Sequence, residues 1–539
     1  MRKNIKCKEM AYCMNNTFPD PLRREFAVCT RIMVQEKTSG AEFIPGNRIS
    51  RVFCCNDYPV CTVRKGGFLL LDFGMELSGG VRLVTSGNMP FCRIRLRFGE
   101  SCSEAMGDPN QDHAIHDVEL TVPPYSSTDF GNTGFRFVRI DALDHDIELH
   151  NVLAFSEYRH YPQWGTFHSS DPLLNRIYDT CIHTVKLNMQ DYILDGVKRD
   201  RLVWGGDLNP EAMVILRTYG NVSVLRDTLE LLRTHTAEGN FINGFSSYTL
   251  WYFLTLRNCW FHTGDIELLR ANLSFLEKEA VRLAAMVGAD GGEMLPDVRF
   301  LDWPSCNSPE VIHAGLQALL LIGLEAVNEM LNELGSAVSV PAAVLQRLKA
   351  YVPDPAGSKT AAALQMLAGM ADQSAVLENM PFSGISTYLG YYILLAKKNQ
   401  PALDLVRKYW GAMLDLGATS FWEDFNLDWV PGATRIDELP IPGRPDIHKD
   451  FGAYCYKGLR HSLCHGWAAG PAAWCSRRIL GVDPLKPGFR EIRFIPDLCD
   501  LEFAEGAVPT PYGVIAVKLQ KGCAPEIKLP EGVVIKSSI

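Results

Sequence analysis

The chain has 539 residues, 47% hydrophobic and 21% charged, with a formal net charge of −9. These fractions suit folded globular protein and exclude disordered or collagen-like character. An acidic balance without basic blocks excludes the electrostatic footprint of a nucleic-acid binder. At about 100–200 residues per domain, the length suggests about three domains.

In chain order, Met1–Asp20 is polar and lacks the apolar run of a signal peptide, so a cytoplasmic location is expected. The sixteen cysteines are scattered, include the adjacent pair Cys54–Cys55 and form no CxxC. Reduced thiols are expected. The first ~160 residues read as β. Cys92–Phe98 alternates, with Ile94, Leu96 and Phe98 on one face and Arg93, Arg95 and Arg97 on the other. Phe135–Ile140, Phe68–Phe73 and Val81–Val84 are further strand candidates, and the pattern suggests an antiparallel sandwich.

The texture changes near Trp164. Ser169-Ser170-Asp171-Pro172 offers caps and a proline for a first helical turn. Helices are expected over 172–190, 209–233, 249–263, 266–287, 309–335, 341–351, 359–370, 384–397, 400–416 and 462–480. That number fits a barrel of paired helices; a solenoid fits it too, but no fixed period recurs. The longest apolar helix candidate, Ala314–Leu324, is interrupted by Gln317 and stops at Glu325, short of the ~20 residues of a membrane span. No membrane partner is therefore expected. Residues 487–539 turn β again, with strands expected at Ile492–Ile495, Gly513–Leu519 and Glu526–Leu529. The reading divides the chain at 1–163, 164–480 and 481–539.

Two long connections, Gln190–Asn209 and Ser420–Arg460, are rich in carboxylates and Trp, and structureless stretches of that size are usually functional. The first holds Asp195, Lys198, Arg199, Asp200, Trp204 and Asp207, with Glu211 just beyond and glycines at 196, 205 and 206. A salt-bridged surface loop would explain the charges but not a Trp beside paired glycines. The second holds Trp422, Glu423 and Asp424, which could equally be a capped helix start with Thr419 or Ser420 as cap. His461 and His465 could share a metal on a helix, but no third ligand is evident, so no metal is assigned. Asp302-Trp303-Pro304, Trp251 and Trp260 are candidate stacking and hydroxyl-binding groups, or simply core. Phosphate-loop, HExxH, GxSxG and dinucleotide motifs are absent.

Taken together, these motifs resemble the α-L-rhamnosidases of glycoside hydrolase family 78. The family's loop D-C-P-x-R-[DE]-…-G-W-x-G-D reads here DGVKRDRLVWGGD, matching Asp195, Arg199, Trp204, Gly206 and Asp207. The family's acid lies four residues before that Trp, at Asp200. Its element G-A-T-T-x-W-E reads GATSFWE, placing the family's base at Glu423. S-x-N-H corresponds to Ser462-Leu-Cys-His465, with Cys464 where Asn is usual. Asp72-Phe-Gly and the segment Phe130–Val138 resemble the family's N-terminal jelly-roll module, and Pro487–Gly513 its C-terminal β domain. The likeness runs from about residue 65 to 520.

It implies a multidomain, mainly α protein. An (α/α)6 barrel would lie between an N-terminal jelly-roll-like β-sandwich and a small C-terminal β-sandwich, and would release terminal α-L-rhamnose with inversion. It further implies Asp200 as general acid and Glu423 as base, without metal or organic cofactor. Asp195, Arg199, Trp204, Asp207, Trp260, Asp302, Trp303, Trp422 and His465 would bind a carbohydrate substrate. Two departures stand out: the family's acid is typically Glu, leaving Asp207 and Glu211 as alternatives, and Gly196-Val197 replaces Cys-Pro. Raising the Asp200 pKa would call for aromatic walls and neighbouring carboxylates, with Lys198 and Arg199 turned away or paired with Asp195. An inverting hydrolase of another sugar, a non-catalytic carbohydrate-binding protein and a uronate lyase are the competing readings.

Overall fold

The computed structural model describes residues 22–52, 58–107, 116–296, 298–454 and 456–536. Met1–Asp20 and the Cys54–Cys55 pair lie outside them. Seven strands form the first sheet: β1 (Leu22–Val28), β2 (Arg31–Ser39), β3 (Cys61–Thr85), β4 (Cys92–Gly99), β5 (Asp117–Val122), β6 (Ser127–Ala142) and β7 (Ile147–Arg159). Their order is β1-β7-β3-β6-β4-β5, with β2 on β3. The apolar runs Phe68–Phe73 and Val81–Val84 belong to the single strand β3, which slips register against β6 between Asp72 and Leu77 and again between Gly79 and Val81. Such bulges bend a strand and increase its twist. Ile94, Leu96 and Phe98 are buried as their alternation predicts, but Arg97 is buried too.

After β4 the chain makes a short helix, α1 (Cys102–Met106), whose N-cap Ser101 accepts from the Glu104 N–H. It is tied to a distant loop, since the Cys102 N–H donates to the Ile436 carbonyl at 2.8 Å and Ser103 Oγ to Asp446 at 2.9 Å. The helical region that follows contains α2 (Pro172–Asn188), α3 (Leu208–Thr218), α4 (Ser223–Thr234), α5 (Ser246–Thr263), α6 (Ile266–Ala284), α7 (Pro309–Glu333), α8 (Ala342–Ala350), α9 (Lys359–Leu367), α10 (Ser374–Glu378) and α11 (Gly390–Ala396). Two further helices, Asn399–Leu405 and Gly470–Trp474, each run on into a π turn. As expected, Asp171 caps α2 by accepting from the Leu173 and Leu174 N–H groups.

The structure departs from the sequence reading at four places. The expected helix 209–233 is two helices, broken where Gly220 takes φ 78°. The expected helix 462–480 starts only at Gly466, because residues before it run extended and bridge Gly196 through His465. Helix α7 is long and apolar enough to cross a membrane, against the shorter candidate read from the sequence, yet most of it is buried inside the protein. Strand β8 (Thr166–Ser169), read as part of the helical region, pairs with the C-terminal strand Phe503–Thr510. That strand, Gly513–Gln520 and Glu526–Lys528 complete a four-stranded sheet, and Val482–Pro484, Glu491–Phe494 and Val534–Ile535 make a three-stranded one.

Candidate active site

The loop between α2 and α3 is gripped from two sides. On one side stands the β region. Gly134 N–H donates to the Val197 carbonyl at 2.7 Å, His116 bonds the Lys198 carbonyl at 3.0 Å, and Arg201 reaches Asn132 at 2.5 and 2.8 Å. On the other side stands the segment 459–466. Arg199 Nε donates to the Arg460 carbonyl at 2.7 Å, and the Gly466 N–H donates to the Asp195 carbonyl at 3.0 Å. Gly196 is needed here. A Cβ would sit 3.1 Å from the Cys464 carbonyl oxygen and 3.2 Å from His465 Nδ1, tighter than ordinary contact. At the tip, Asp200 and Arg201 both take positive φ, 56° and 52°. Non-glycine residues so placed cost energy and gather at functional sites.

Lys198 and Arg199 do not turn away. The Lys198 ammonium is fully buried, 3.0 Å from Glu100 and 3.2 Å from Glu104, and donates to the Leu459 and His461 carbonyls at 2.9 and 2.8 Å. Both glutamates flank α1 or lie in it, so the β region neutralises the loop's lysine. Glu100, Glu104 and His448 bring ligand atoms within 4.8 Å of one another, and the lysine stands beside both carboxylates. Burial pushes Glu104 up to about 7, against the pull of Lys198.

Arg199 stands between the two expected catalytic carboxyls. Its Nη1 donates to Asp200 at 2.8 Å and its Nη2 to Glu423. The Asp200 side chain is 32% exposed, whereas that of Glu423 is 2% exposed. The aromatic wall expected around Asp200 is replaced by this guanidinium, because Trp204 instead packs edge-on against Phe245 and Tyr248. Glu423 also accepts from the Ser462 N–H at 3.2 Å and lies 3.7 Å from His465 Nδ1. His465 Nε2 bonds Asp207 at 3.1 Å. Asp207, Asp195 and Glu423 outweigh the burial of His465, so its pKa is raised. His461 does not join it, since its Nε2 accepts from the Asp424 N–H at 2.9 Å.

Three carboxyls lie deeper. Burial is the largest cause in each case, reinforced by neighbouring carboxylates. Asp195 is pushed up to about 7, Asp207 is raised, and Glu211 is raised well above the usual range. Both Glu211 oxygens are buried without a hydrogen bond, over Gly466, where a Cβ would meet Oε1. The folded pKa of Asp195 exceeds its unfolded value of about 3.9, so its contribution is full below that pH and is lost as pH rises through 7. Asn cannot ionise. Asp195→Asn is therefore expected to gain stability relative to the wild type between pH 5 and 8, read from urea midpoints; a constant difference would contradict the buried ionisation.

The aromatic side of the site runs from Arg199 outward. The guanidinium lies 4.6 Å over the Tyr456 ring; Trp303 meets Tyr456 edge-on, stacks on Tyr454 and touches Phe300, which packs on Tyr248. Asp302 is buried and accepts from Ser305 Oγ at 2.5 Å and Thr360 Oγ1 at 3.0 Å. Two expected binding residues are elsewhere. Trp260 is buried near the C-terminal end of α5, about three helical turns from Tyr248, beside Gly264 and Pro487. Trp422 is buried among Phe425 and His461 and presents no face to a ligand. Both are large apolar side chains that the core took. Sequence reasoning missed Tyr454, Tyr456, Glu100 and Glu104. The Ser101-x-x-Glu104 spacing after the apolar strand β4 was an available signal for the last of these.

A histidine among carboxyls drawn from two loops, rimmed by aromatic rings, defines the class of site that can bind a polar ring and move protons. Comparison narrows the class. Residues 162–311 match the bacterial alpha-L-rhamnosidase 6 hairpin glycosidase domain, and residues 481–534 match the bacterial alpha-L-rhamnosidase C-terminal domain. An alpha-L-rhamnosidase of Alteromonas sp. (strain LOR) is 23% identical over 525 residues, spanning 83% of this chain and 53% of that protein. The chain thus spans about half the length of this curated relative. Among solved structures, the GH78 family rhamnosidase of Bacillus sp. GL1 superposes with a TM-score of 0.71 at 20% identity, over 92% of this chain and 55% of that one. The rhamnosidase from Klebsiella oxytoca with rhamnose bound gives 0.67 at 20% identity, over 85% and 96%. The resemblance to the α-L-rhamnosidases carried by the motifs is shown by these matches, and the multidomain fold is theirs.

Proposed function

We propose that the protein is a glycoside hydrolase that releases terminal α-L-rhamnose with inversion, using a barrel of six helical hairpins between two β modules divided near residues 163 and 480. The observation that carries this reading is the Arg199 bridge, which gathers Asp200 and Glu423 from two distant loops onto one guanidinium. Inverting glycosidases hold their two carboxyls about 6.5–9.5 Å apart, leaving room for a water. A guanidinium that bonds one carboxylate at each Nη keeps the two carboxyls on one site without letting them touch. The rhamnose bound by the Klebsiella relative supports the choice of sugar.

In this reading Glu423 takes a proton from a water as its oxygen bonds the anomeric carbon. The glycosidic C–O bond breaks, and the leaving oxygen receives a proton from Asp200 at the exposed end of the bridge. Asp195, Asp207 and His465 bind sugar hydroxyls, while Trp204 and Trp303 offer apolar faces to the ring and its methyl group. Asp302 is a further hydroxyl acceptor. A second donor is favoured by the burial of Asp195, which pushes its carboxyl up to about 7.

The test is a panel of aryl glycosides. Release is expected from the α-L-rhamnoside, and no release from any member would overturn the reading. Leaving groups separate the donors. The variant that lacks the true acid, Asp200→Asn or Asp195→Asn, is expected to lose about 10²–10⁴ in rate on a poor leaving group. It should lose little on dinitrophenolate, which departs without a proton.

A further inference from the structure

We propose that the cavity beyond Asp302 is a subsite for an anionic sugar, the residue to which the cleaved rhamnose is attached. This rests on the rhamnosidase reading and extends it to the leaving-group side. The cavity holds about 340 Å³, within the usual range for small-molecule sites of about 300–1,000 Å³. Its wall carries Ser305, Ser308, Ser358, Thr360, Ser383 and Ser386, a density of hydroxyls that suits a polyol. Asp302 joins it to the site, since its neighbour Trp303 stacks on Tyr454 and meets Tyr456 edge-on, over which the Arg199 guanidinium lies.

The positive charge is what specifies the ligand. Lys359 lines the cavity and is 6% exposed. Its ammonium donates to the Asn379 and Met380 carbonyls at 2.7 and 3.2 Å. An ammonium has three protons, and no carboxylate of the described residues pairs with this one. Glu378, whose field reaches Lys359, is itself paired with Lys397 at 3.0 Å. Burial and then the like charge of Lys397 disfavour the Lys359 cation, more than the field of Glu378 favours it, and an anion opposite it would relieve both. Asp302 is already engaged by Ser305 and Thr360.

Two helix starts add to this. Helices α7 and α9 begin at the cavity wall, at Ser308 and Ser358, and first-turn N–H groups carry partial positive charge. The Ser308 side chain makes no capping bond to its own helix, and the one acid of that first turn, Glu310, is exposed to solvent. A buried cation with a spare proton and two helix N-termini around one hydroxyl-lined hollow define a receptor for a carboxylate-bearing sugar.

The test uses two disaccharides that differ in one group: α-L-rhamnosyl uronate and the same molecule with the carboxyl reduced to the alcohol. The wild type is expected to prefer the uronate at least tenfold in kcat/KM. Lys359→Gln, which keeps donors for the two carbonyls but removes the charge, is expected to bring that ratio close to one. Equal use of both substrates by the wild type, or a preference that survives in Lys359→Gln, overturns the proposal. If neither disaccharide nor aryl rhamnoside is cleaved, the hydrolase reading fails instead, and calorimetric titration with a uronate oligosaccharide then tests the cavity alone. Binding lost in Lys359→Gln upholds the anionic site, and no binding to the wild type rejects it.

Discussion

Glu423→Gln is expected to reduce turnover of an aryl α-L-rhamnoside by about 10²–10⁴ while leaving the protein folded. General-base assistance is worth about 10²–10⁴, and the amide cannot take the proton of the attacking water. Gln keeps the shape of the side chain and an oxygen for the Ser462 N–H and Arg199. Asp200 and the Arg460 carbonyl remain as hydrogen-bond acceptors for Arg199, so the guanidinium is not stranded. A variant with an unchanged thermal melt and near wild-type turnover would remove Glu423 from the chemistry. The anomer formed first, followed by proton NMR in the wild type, reports on the same residue from another side, because inversion requires a base and retention a nucleophile.

Lys198→Met is expected to destabilise the protein by about 3–5 kcal/mol, the usual cost of removing one partner of a buried ion pair. Glu100 and Glu104 would be left without their shared cation, and fully buried Glu76 adds to the same negative field. The loss depends on pH with a definite sign. The pKa of Glu104 in the folded state, about 7, lies above its unfolded value of about 4.3. Its contribution is therefore present in acid and lost as pH rises toward neutrality. Without Lys198 these carboxyls rise further, so the deficit of the variant should widen from pH 5 to 8 in urea titrations. Adding Glu100→Gln to Lys198→Met should recover part of it. A deficit that is small and flat with pH would mean that the cluster does not hold the loop.

The sequence was most informative where chemistry demands particular side chains at close spacing. Asp195, Arg199, Asp207, Glu423 and His465 meet at one place, although they come from separate loops. The partners of Arg199 and Lys198 were not legible, because an ion pair between distant segments leaves no periodicity behind. Lys198 finds its acids in the β region, and nothing near it in sequence points there. The large aromatics misled for a related reason. Trp260 and Trp422 share their composition with stacking residues, and only tertiary packing separates a core indole from a binding one. Helix patterns located the elements well but not their ends. Gly220 and the extended run before Gly466 are decided by backbone geometry and by cross-loop pairing, which hydrophobic spacing does not report.

The pairing of β8 with Phe503–Thr510 has a bearing on synthesis. During translation, the short strand that opens the helical region emerges with its edge uncovered, and its partner leaves the ribosome only after every helix has been made. This pairing therefore forms only once the late strands arrive, and closing so distant a contact is slow. A ribosome stalled before residue 503 would carry a nascent protein with an exposed edge, a natural target for chaperones.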